Sequence, residues 1–159
     1  MSADKTTHGE TAIHRRVNDA RAGRDATLLG RCASGWAVFG HQQFVHGYLL
    51  LLPDPVVPDL NALTQERRSQ FLLDMSHLGD ALMATTSSVR INYAIFGNQE
   101  PALHAHVIPR YSSEPAHLRT LHPWSYDWNA APAFDPKAAA ALMQALRAEL
   151  AQLGTLQSS

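Results

Sequence analysis

Two short segments in the first half of the chain have the hydrophobic patterns of β-strands. Residues 36–39 are predicted as one strand and residues 48–52 as a second. The second is apolar at every position, and successive side chains of a strand point to opposite faces, so both of its faces are expected to be covered. We expect a helix on one face and either a partner or the tail of the chain on the other.

Helical periodicity marks a long middle segment and the C-terminal segment. Between residues 64 and 84, apolar side chains recur at helical spacing, namely Phe71, Leu72, Met75, Leu78 and Leu82. Residues 138–153 form an alanine-rich helix pattern, with Asp135 as the candidate N-cap and Pro136 at the first helical position. A weaker pattern near the N terminus, which predicts a short helix or a covering arm, consists of Ile13, Val17 and Ala20.

Two further strands, at residues 89–96 and 103–108, are predicted after the long helix. A hairpin, a helix and two more strands indicate an α+β domain built on an antiparallel sheet. We predict a single domain over residues 12–159, preceded by a small, polar and disordered tail over residues 1–11.

The segment 112–136 is long, irregular and rich in proline and aromatic residues. Loops of this length are usually functional or wrapped over another surface. Trp124 and Trp128 therefore have two interpretations. They close over a site or a dimer groove, or they simply pack.

The composition excludes several classes of protein. A formal net charge of −1 gives no broad basic surface for nucleic acid or an anionic membrane. The longest apolar run, residues 48–52, is far too short to cross a bilayer. The single cysteine, Cys32, excludes an internal disulfide, and with nothing that resembles a signal peptide it predicts a cytoplasmic protein.

The candidate chemistry lies in the fourth predicted strand, where His104 and His106 are two residues apart. Strand alternation places both on one face with Ala102 and Ile108, and histidine titrates near neutral pH without special help. The pair is also compatible with a polar strand face that has no chemistry. A metal site would need a third ligand, and neither His117 nor His122 has a matching spacing, so we predict no metal and no cofactor.

The blocks 92–98 and 101–111 resemble the histidine triad (HIT) superfamily, whose signature is His-φ-His-φ-His-φ-φ, often preceded by Pro and followed by Pro-Arg. His104 matches the middle histidine, His106 matches the third, and Ala102 stands in place of the first. The resemblance can be followed from about Trp36 to Tyr111. It implies an antiparallel sheet of about five strands, a long helix on one face, a C-terminal helix, and pairing as a homodimer.

The resemblance also implies an activity. HIT enzymes hydrolyse or transfer nucleotidyl groups, and the expected ligand is a nucleotide or dinucleotide such as a diadenosine polyphosphate. His104 matches the family's nucleophile, which attacks the α-phosphate of a phosphoanhydride or phosphoramidate. Its other ring nitrogen is expected to donate to a backbone carbonyl. His106 would contact a phosphate oxygen or the leaving group.

Four further residues are predicted to contact the nucleotide, namely Asn98, Asn92, Phe44 and Gln99. Asn98 serves equally well as a turn residue, and Phe44 as a core aromatic. Arg110 either reaches a phosphate or forms a surface salt bridge.

Alanine at position 102 leaves a second functional interpretation, a nucleotide-binding module with little or no turnover. Restoring the triad with Ala102→His is expected to give a modest gain in rate or no change.

Overall fold

The computed structural model describes residues 9–158, so most of the predicted tail at residues 1–11 lies outside it. Five antiparallel strands form one sheet in the order β1-β2-β3-β5-β4. The strands are β1 (Leu28–Arg31), β2 (Gly35–Phe39), β3 (Leu49–Pro53), β4 (Arg90–Ile95) and β5 (Ala105–Arg110). The helices are α1 (Ala12–Arg21), α2 (Gln65–Thr85) and α3 (Pro136–Gln152), with 3₁₀ turns at Leu60–Ala62 and Pro123–Ser125. The predicted α+β class is confirmed.

One face of the sheet, called the inner face here, packs against α2 and α3. Asp135 caps α3 as the sequence predicts, accepting a hydrogen bond from the Lys137 amide at 2.9 Å. At the start of α2, the Thr64 hydroxyl accepts a hydrogen bond from the Arg67 amide at 3.3 Å. The large side chains buried completely in this layer include Leu29, Phe39, Leu49, Leu51, Phe71, Leu78, Leu82, Leu103, Leu146 and Leu150.

The opposite, outer face is covered near β2 and β3 by α1. Ile13 and Val17 of this helix pack with Val38, Leu50 and Leu52 of the sheet. Both faces of β3 are therefore covered, as its unbroken apolarity predicts. The helix on the outer face, α1, contains the weak apolar pattern of Ile13, Val17 and Ala20 near the N terminus. No helix among residues 9–158 is long and apolar enough to span a membrane.

Strand β1 is absent from the sequence-based prediction. Its four residues include Gly30, and its pairing with β2 is interrupted by a register shift between Leu28 and Gly30. A side chain at position 30 would approach Leu156 of the C-terminal segment to 2.7 Å. The strand is therefore specified by long-range packing, and it carries too little local pattern to be recognised alone.

Candidate functional site

A broad cleft lies over β4 and β5 on the outer face of the sheet. Its walls are the β4–β5 loop on one side and the segment 119–129 on the other. The paired strands form its floor, where Ala94 lies directly opposite His106 and Asn92 opposite Ile108. Both candidate histidines line this cleft. So do Asn98 and Gln99, whose side chains are exposed.

His104 lies immediately before β5, and its ring is held by the backbone. Its Nδ1 atom is 2.8 Å from the carbonyl oxygen of Ala102. A carbonyl only accepts, so Nδ1 carries the hydrogen. In a neutral imidazole, Nε2 then keeps a free lone pair. The backbone acceptor expected from the sequence is thus present.

The carbonyl of Ala102 belongs to a well-fixed piece of chain. The Ala102 amide donates to the Glu100 carbonyl at 2.8 Å, and the Leu103 amide donates to the Val57 carbonyl at 2.8 Å. Ala102 as a whole is 1% exposed, and it packs in the same apolar cluster as Ile108. Residue 102 thus contributes a carbonyl to the site, and its side chain belongs to the packing on the outer face.

His106 is the second imidazole of the site, with its ring centroid 4.9 Å from that of His104. Its Nδ1 atom lies 2.7 Å from the hydroxyl oxygen of Tyr48. Burial, reinforced by the neighbouring His104, lowers the pKa of His106 from 6.5 to about 4. His106 is therefore neutral at pH 7.

Aromatic side chains surround His106. The Trp124 ring is nearly perpendicular to it at a centroid distance of 5.1 Å, and Phe96 meets Trp124 edge to face at 4.8 Å. Trp124 and Phe96 are 41% and 52% exposed, so they present an aromatic surface to the cleft. The segment 112–136 thus covers part of the site. The only sequence signal for this contact was its unusual aromatic content.

Phe44 lies behind this surface, outside the group of residues that line the cleft. Its ring stacks on Trp128 with a centroid distance of 3.8 Å. It also contacts the rings of Tyr48 and Tyr126 at 5.1 and 5.5 Å. The structure therefore places Phe44 as a packing aromatic that supports Trp128.

Arg110 and Asn92 form a network below the cleft. The Arg110 guanidinium is buried and donates to both carboxylate oxygens of Glu114, at 3.0 and 3.1 Å. It also donates to the Asn92 side-chain oxygen at 2.9 Å, and to the carbonyls of Leu121 and Leu118 at 2.7 and 3.0 Å. The prediction of a surface salt bridge is wrong, because the ion pair with Glu114 is buried and the guanidinium fixes the path of residues 111–121.

The HIT domain model matches residues 27–113, which is more than half of the chain. The chain belongs to the HIT family. Within the family's signature, the structure confirms the alternation expected around the triad: Ala102 and Ile108 pack on the outer face, whereas Leu103, Ala105 and Val107 enter the inner core.

Solved structures of HIT proteins share this fold. A histidine triad protein from Marinobacter aquaeolei VT8 superposes with a TM-score of 0.71 at 22% identity, covering 91% of this chain and 99% of that one. One from Bradyrhizobium japonicum gives 0.68 at 24% identity, covering 82% and 94%. A hypothetical histidine triad nucleotide-binding protein from Sulfolobus tokodaii gives 0.67 at 10% identity, covering 86% and 91%. No curated protein sequence matches the chain.

Within residues 9–158, no group of three histidine, cysteine or acidic side chains is placed to hold a metal ion. His104 and His106 instead direct their Nδ1 atoms to protein partners.

Proposed function

We propose that this protein breaks a phosphoanhydride or phosphoramidate bond at a nucleotide α-phosphate through a nucleotidyl-histidine intermediate on His104. The hydrogen bond from His104 Nδ1 to the Ala102 carbonyl is the observation that carries the proposal, because it leaves Nε2 unprotonated. Membership of the HIT family supports it. A relative from Sulfolobus tokodaii is described as nucleotide-binding.

In the first step, the Nε2 lone pair of His104 attacks the α-phosphorus. A P–N bond forms, the bond to the leaving group breaks, and the leaving group departs with the electron pair and takes a proton from solvent. A neutral imidazole is not repelled by the phosphate charge as an anionic nucleophile would be. The modified ring gains a positive charge, which the Ala102 carbonyl stabilises through Nδ1–H.

In the second step, water attacks the phosphorus of the intermediate. A P–O bond forms, the P–N bond breaks, and a proton returns to solvent. Neutral His104 is regenerated, and the product is a nucleoside monophosphate. If another hydroxyl compound replaces water, the same step is a nucleotidyl transfer.

The remaining cleft residues have binding roles in this proposal. His106 contacts a phosphate oxygen or the leaving group. Asn98 and Gln99, on the β4–β5 loop, donate amide hydrogens to the phosphates. The side-chain oxygen of Asn92 accepts a hydrogen bond from Arg110, and its amide nitrogen is left to donate to a phosphate oxygen.

A nucleotide-binding module with little turnover is the second candidate. The observation that favours it is the buried methyl group at Ala102, where the family's first histidine would stand. In this alternative, the cleft binds a nucleotide, but His104 does not form the covalent intermediate.

We also propose that the protein forms a homodimer through β4. This strand is at an edge of the sheet, so one side of its backbone has no neighbouring strand among the described residues. Val89, next to it, is 61% exposed, and Tyr93 on the strand is 43% exposed. A second copy of the chain, pairing edge to edge, would cover both.

A cytoplasmic location is the last part of the proposal. Cys32 is buried, and burial raises the pKa of its thiol to about 12, so it remains an unreactive thiol. A chain whose only cysteine is a core residue suits a reducing compartment.

The experiment that tests the activity is a substrate panel with a matched pair of variants. Wild type, His104→Ala and His117→Ala are assayed against dinucleoside polyphosphates and nucleoside phosphoramidates. We expect turnover in wild type and in His117→Ala, an exposed control, and none in His104→Ala. Acid quenching followed by mass spectrometry should find a nucleotidyl adduct on wild type.

Turnover by His104→Ala at the wild-type rate would overturn the nucleophile assignment. If no protein turns over and a nucleoside monophosphate raises the melting temperature of all three, the binding-module reading holds.

A further inference from the structure

The hydroxyl of Tyr48 forms a hydrogen bond with His106, and Tyr48 has no role in the proposed reaction as described above. The hydroxyl lies 2.7 Å from Nδ1 of His106, at the entrance to β3 and 58 residues away in the chain. We infer that Tyr48 is a positioning residue: its hydroxyl donates to His106 Nδ1 and holds the imidazole in the tautomer whose hydrogen is on Nε2. The catalytic consequence of this tautomer rests on the proposed function, whereas the tautomer itself does not.

The direction of the hydrogen bond follows from the surroundings of Tyr48. The residue is 4% exposed, and His106 is the only side-chain partner of its hydroxyl among residues 9–158. If Nδ1 donated, the hydroxyl hydrogen would be left in an apolar environment without an acceptor. If the hydroxyl donates, its hydrogen is satisfied, and the ring hydrogen on Nε2 is available to solvent or ligand in the cleft. Burial also raises the pKa of Tyr48, so the hydroxyl keeps its proton.

The ring of Tyr48 is held firmly enough to perform this role. A side chain at Gly40 would collide with the ring, so the chain needs glycine where the two approach. The Tyr48 carbonyl accepts a hydrogen bond from the Gln43 side chain at 3.0 Å and another from the Gly40 amide at 3.0 Å. Phe44 and Trp128 pack against the ring from the other sides.

The consequence is a pair of neighbouring imidazoles in opposite tautomers. His104 donates from Nδ1 to a carbonyl and keeps a lone pair on Nε2. His106 accepts at Nδ1 and carries its hydrogen on Nε2. Because His106 is neutral at pH 7, it has only one ring hydrogen, and it can donate to a phosphoryl oxygen or leaving atom only if that hydrogen is on Nε2. Tyr48 thus makes one imidazole a hydrogen-bond donor beside one that is a nucleophile.

The test combines nitrogen NMR with kinetics on Tyr48→Phe. The matched control is Tyr126→Phe, which removes a hydroxyl from the same aromatic cluster, where it donates to Glu114 at 2.6 Å. In protein labelled with ¹⁵N-histidine, wild type and control should show His106 with its proton on Nε2. Tyr48→Phe should shift the ring towards a mixture of tautomers. The value of kcat should fall by about tenfold to a hundredfold in Tyr48→Phe, with little change in KM, because the lost interaction acts in the transition state.

The outcomes separate this inference from the proposed activity. A wild-type spectrum with the proton on Nδ1 of His106 would overturn the role of Tyr48, and so would an unchanged tautomer in Tyr48→Phe. The wild-type spectrum needs no variant, so it decides the question even if Tyr48→Phe folds poorly. If none of the proteins turns over any substrate, the proposed activity fails while the NMR result still stands.

Discussion

Ala102 serves the site through its carbonyl group and the core through its methyl group. The carbonyl accepts the hydrogen bond that sets the tautomer of His104. The methyl group is packed among apolar side chains on the outer face of the sheet. The two parts of one residue therefore respond differently to substitution, because any L-residue keeps the carbonyl and only a small one fits the space.

Ala102→His should destabilise the protein and leave its activity no higher. The sequence alone favours a modest gain or no change, but the buried position of the methyl group changes the expectation. A larger, polar ring would overpack the cluster, at a typical cost of about 1–3 kcal/mol in the free energy of unfolding. Denaturant titrations and turnover of both proteins measure the effect. A variant that is as stable as wild type and faster would show that the outer-face cluster adapts to an imidazole.

His106 should make the protein less stable in mild acid. Its pKa is 6.5 ordinarily and about 4 in the folded protein, so between these values the unfolded chain binds a proton that the folded chain does not. The stability contributed by neutral His106 is complete above pH 6.5 and is lost as the pH falls towards 4. The expected loss of unfolding free energy between pH 7 and 4.5 is about 2–3 kcal/mol.

Urea titrations of wild type and His106→Gln at the two pH values isolate this contribution. Asp54, whose pKa is lowered to about 2 by its hydrogen bond with Arg21 and by further contacts, is common to both proteins and cancels in the comparison. Equal pH dependence in the two proteins would contradict the lowered pKa of His106.

At the scale of elements, the segment 111–121 is organised by one buried side chain. Arg110 donates to Glu114 and to backbone carbonyls of this segment, and these bonds place the following aromatic residues beside His106. The arrangement uses the planar fork of arginine, which a lysine ammonium does not reproduce.

Arg110→Lys should therefore loosen the segment. The carbonyls of Leu118 and Leu121 would lose their donor, with an expected total cost of about 1–3 kcal/mol for the two hydrogen bonds. Hydrogen exchange of amides in residues 111–121 should accelerate, and Trp124 fluorescence should report greater exposure to solvent. Arg119→Lys is the control, since Arg119 is exposed and its side chain makes a single hydrogen bond within residues 9–158, to the Ser112 carbonyl. Similar exchange in both variants would mean that Arg110 does not hold the segment.

Elements whose conformation is determined by their own sequence could be predicted, and those that depend on distant parts of the chain could not. Helices α2 and α3 carry periodic apolar faces and capping residues within their own sequence. Both histidines, and the carbonyl that orients His104, belong to one ten-residue stretch. Strand β1 and the contact of Tyr48 with His106 depend on partners far along the chain, which no local spacing encodes. The sequence left Phe44 open between a ligand contact and a packing role, because no local spacing shows that Trp128 stacks on it.

At the scale of the whole molecule, Val89→Glu tests the proposed homodimer. Val89 is beside the open edge of β4 and is largely exposed, so a charge there should leave the protomer folded. Buried at an edge-to-edge interface, the carboxylates of two copies would be desolvated and unpaired, and the dimer should dissociate. Light scattering after size exclusion measures the mass. Leu153→Glu, at the exposed end of α3, is the control. A wild-type protein that is already monomeric would contradict the dimer.

The hydrogen bonds from Arg110 to residues 111–121 affect how the walls of the cleft can be redesigned. Its hydrogen bonds to Leu118 and Leu121 are made to carbonyl oxygens, which every amino acid possesses. The backbone path of this segment therefore does not depend on most of its side chains. Randomising exposed positions such as Leu121 and Trp124 in a combinatorial library should yield folded proteins with altered cleft walls. Substrate preference can then be selected on a backbone that stays in place.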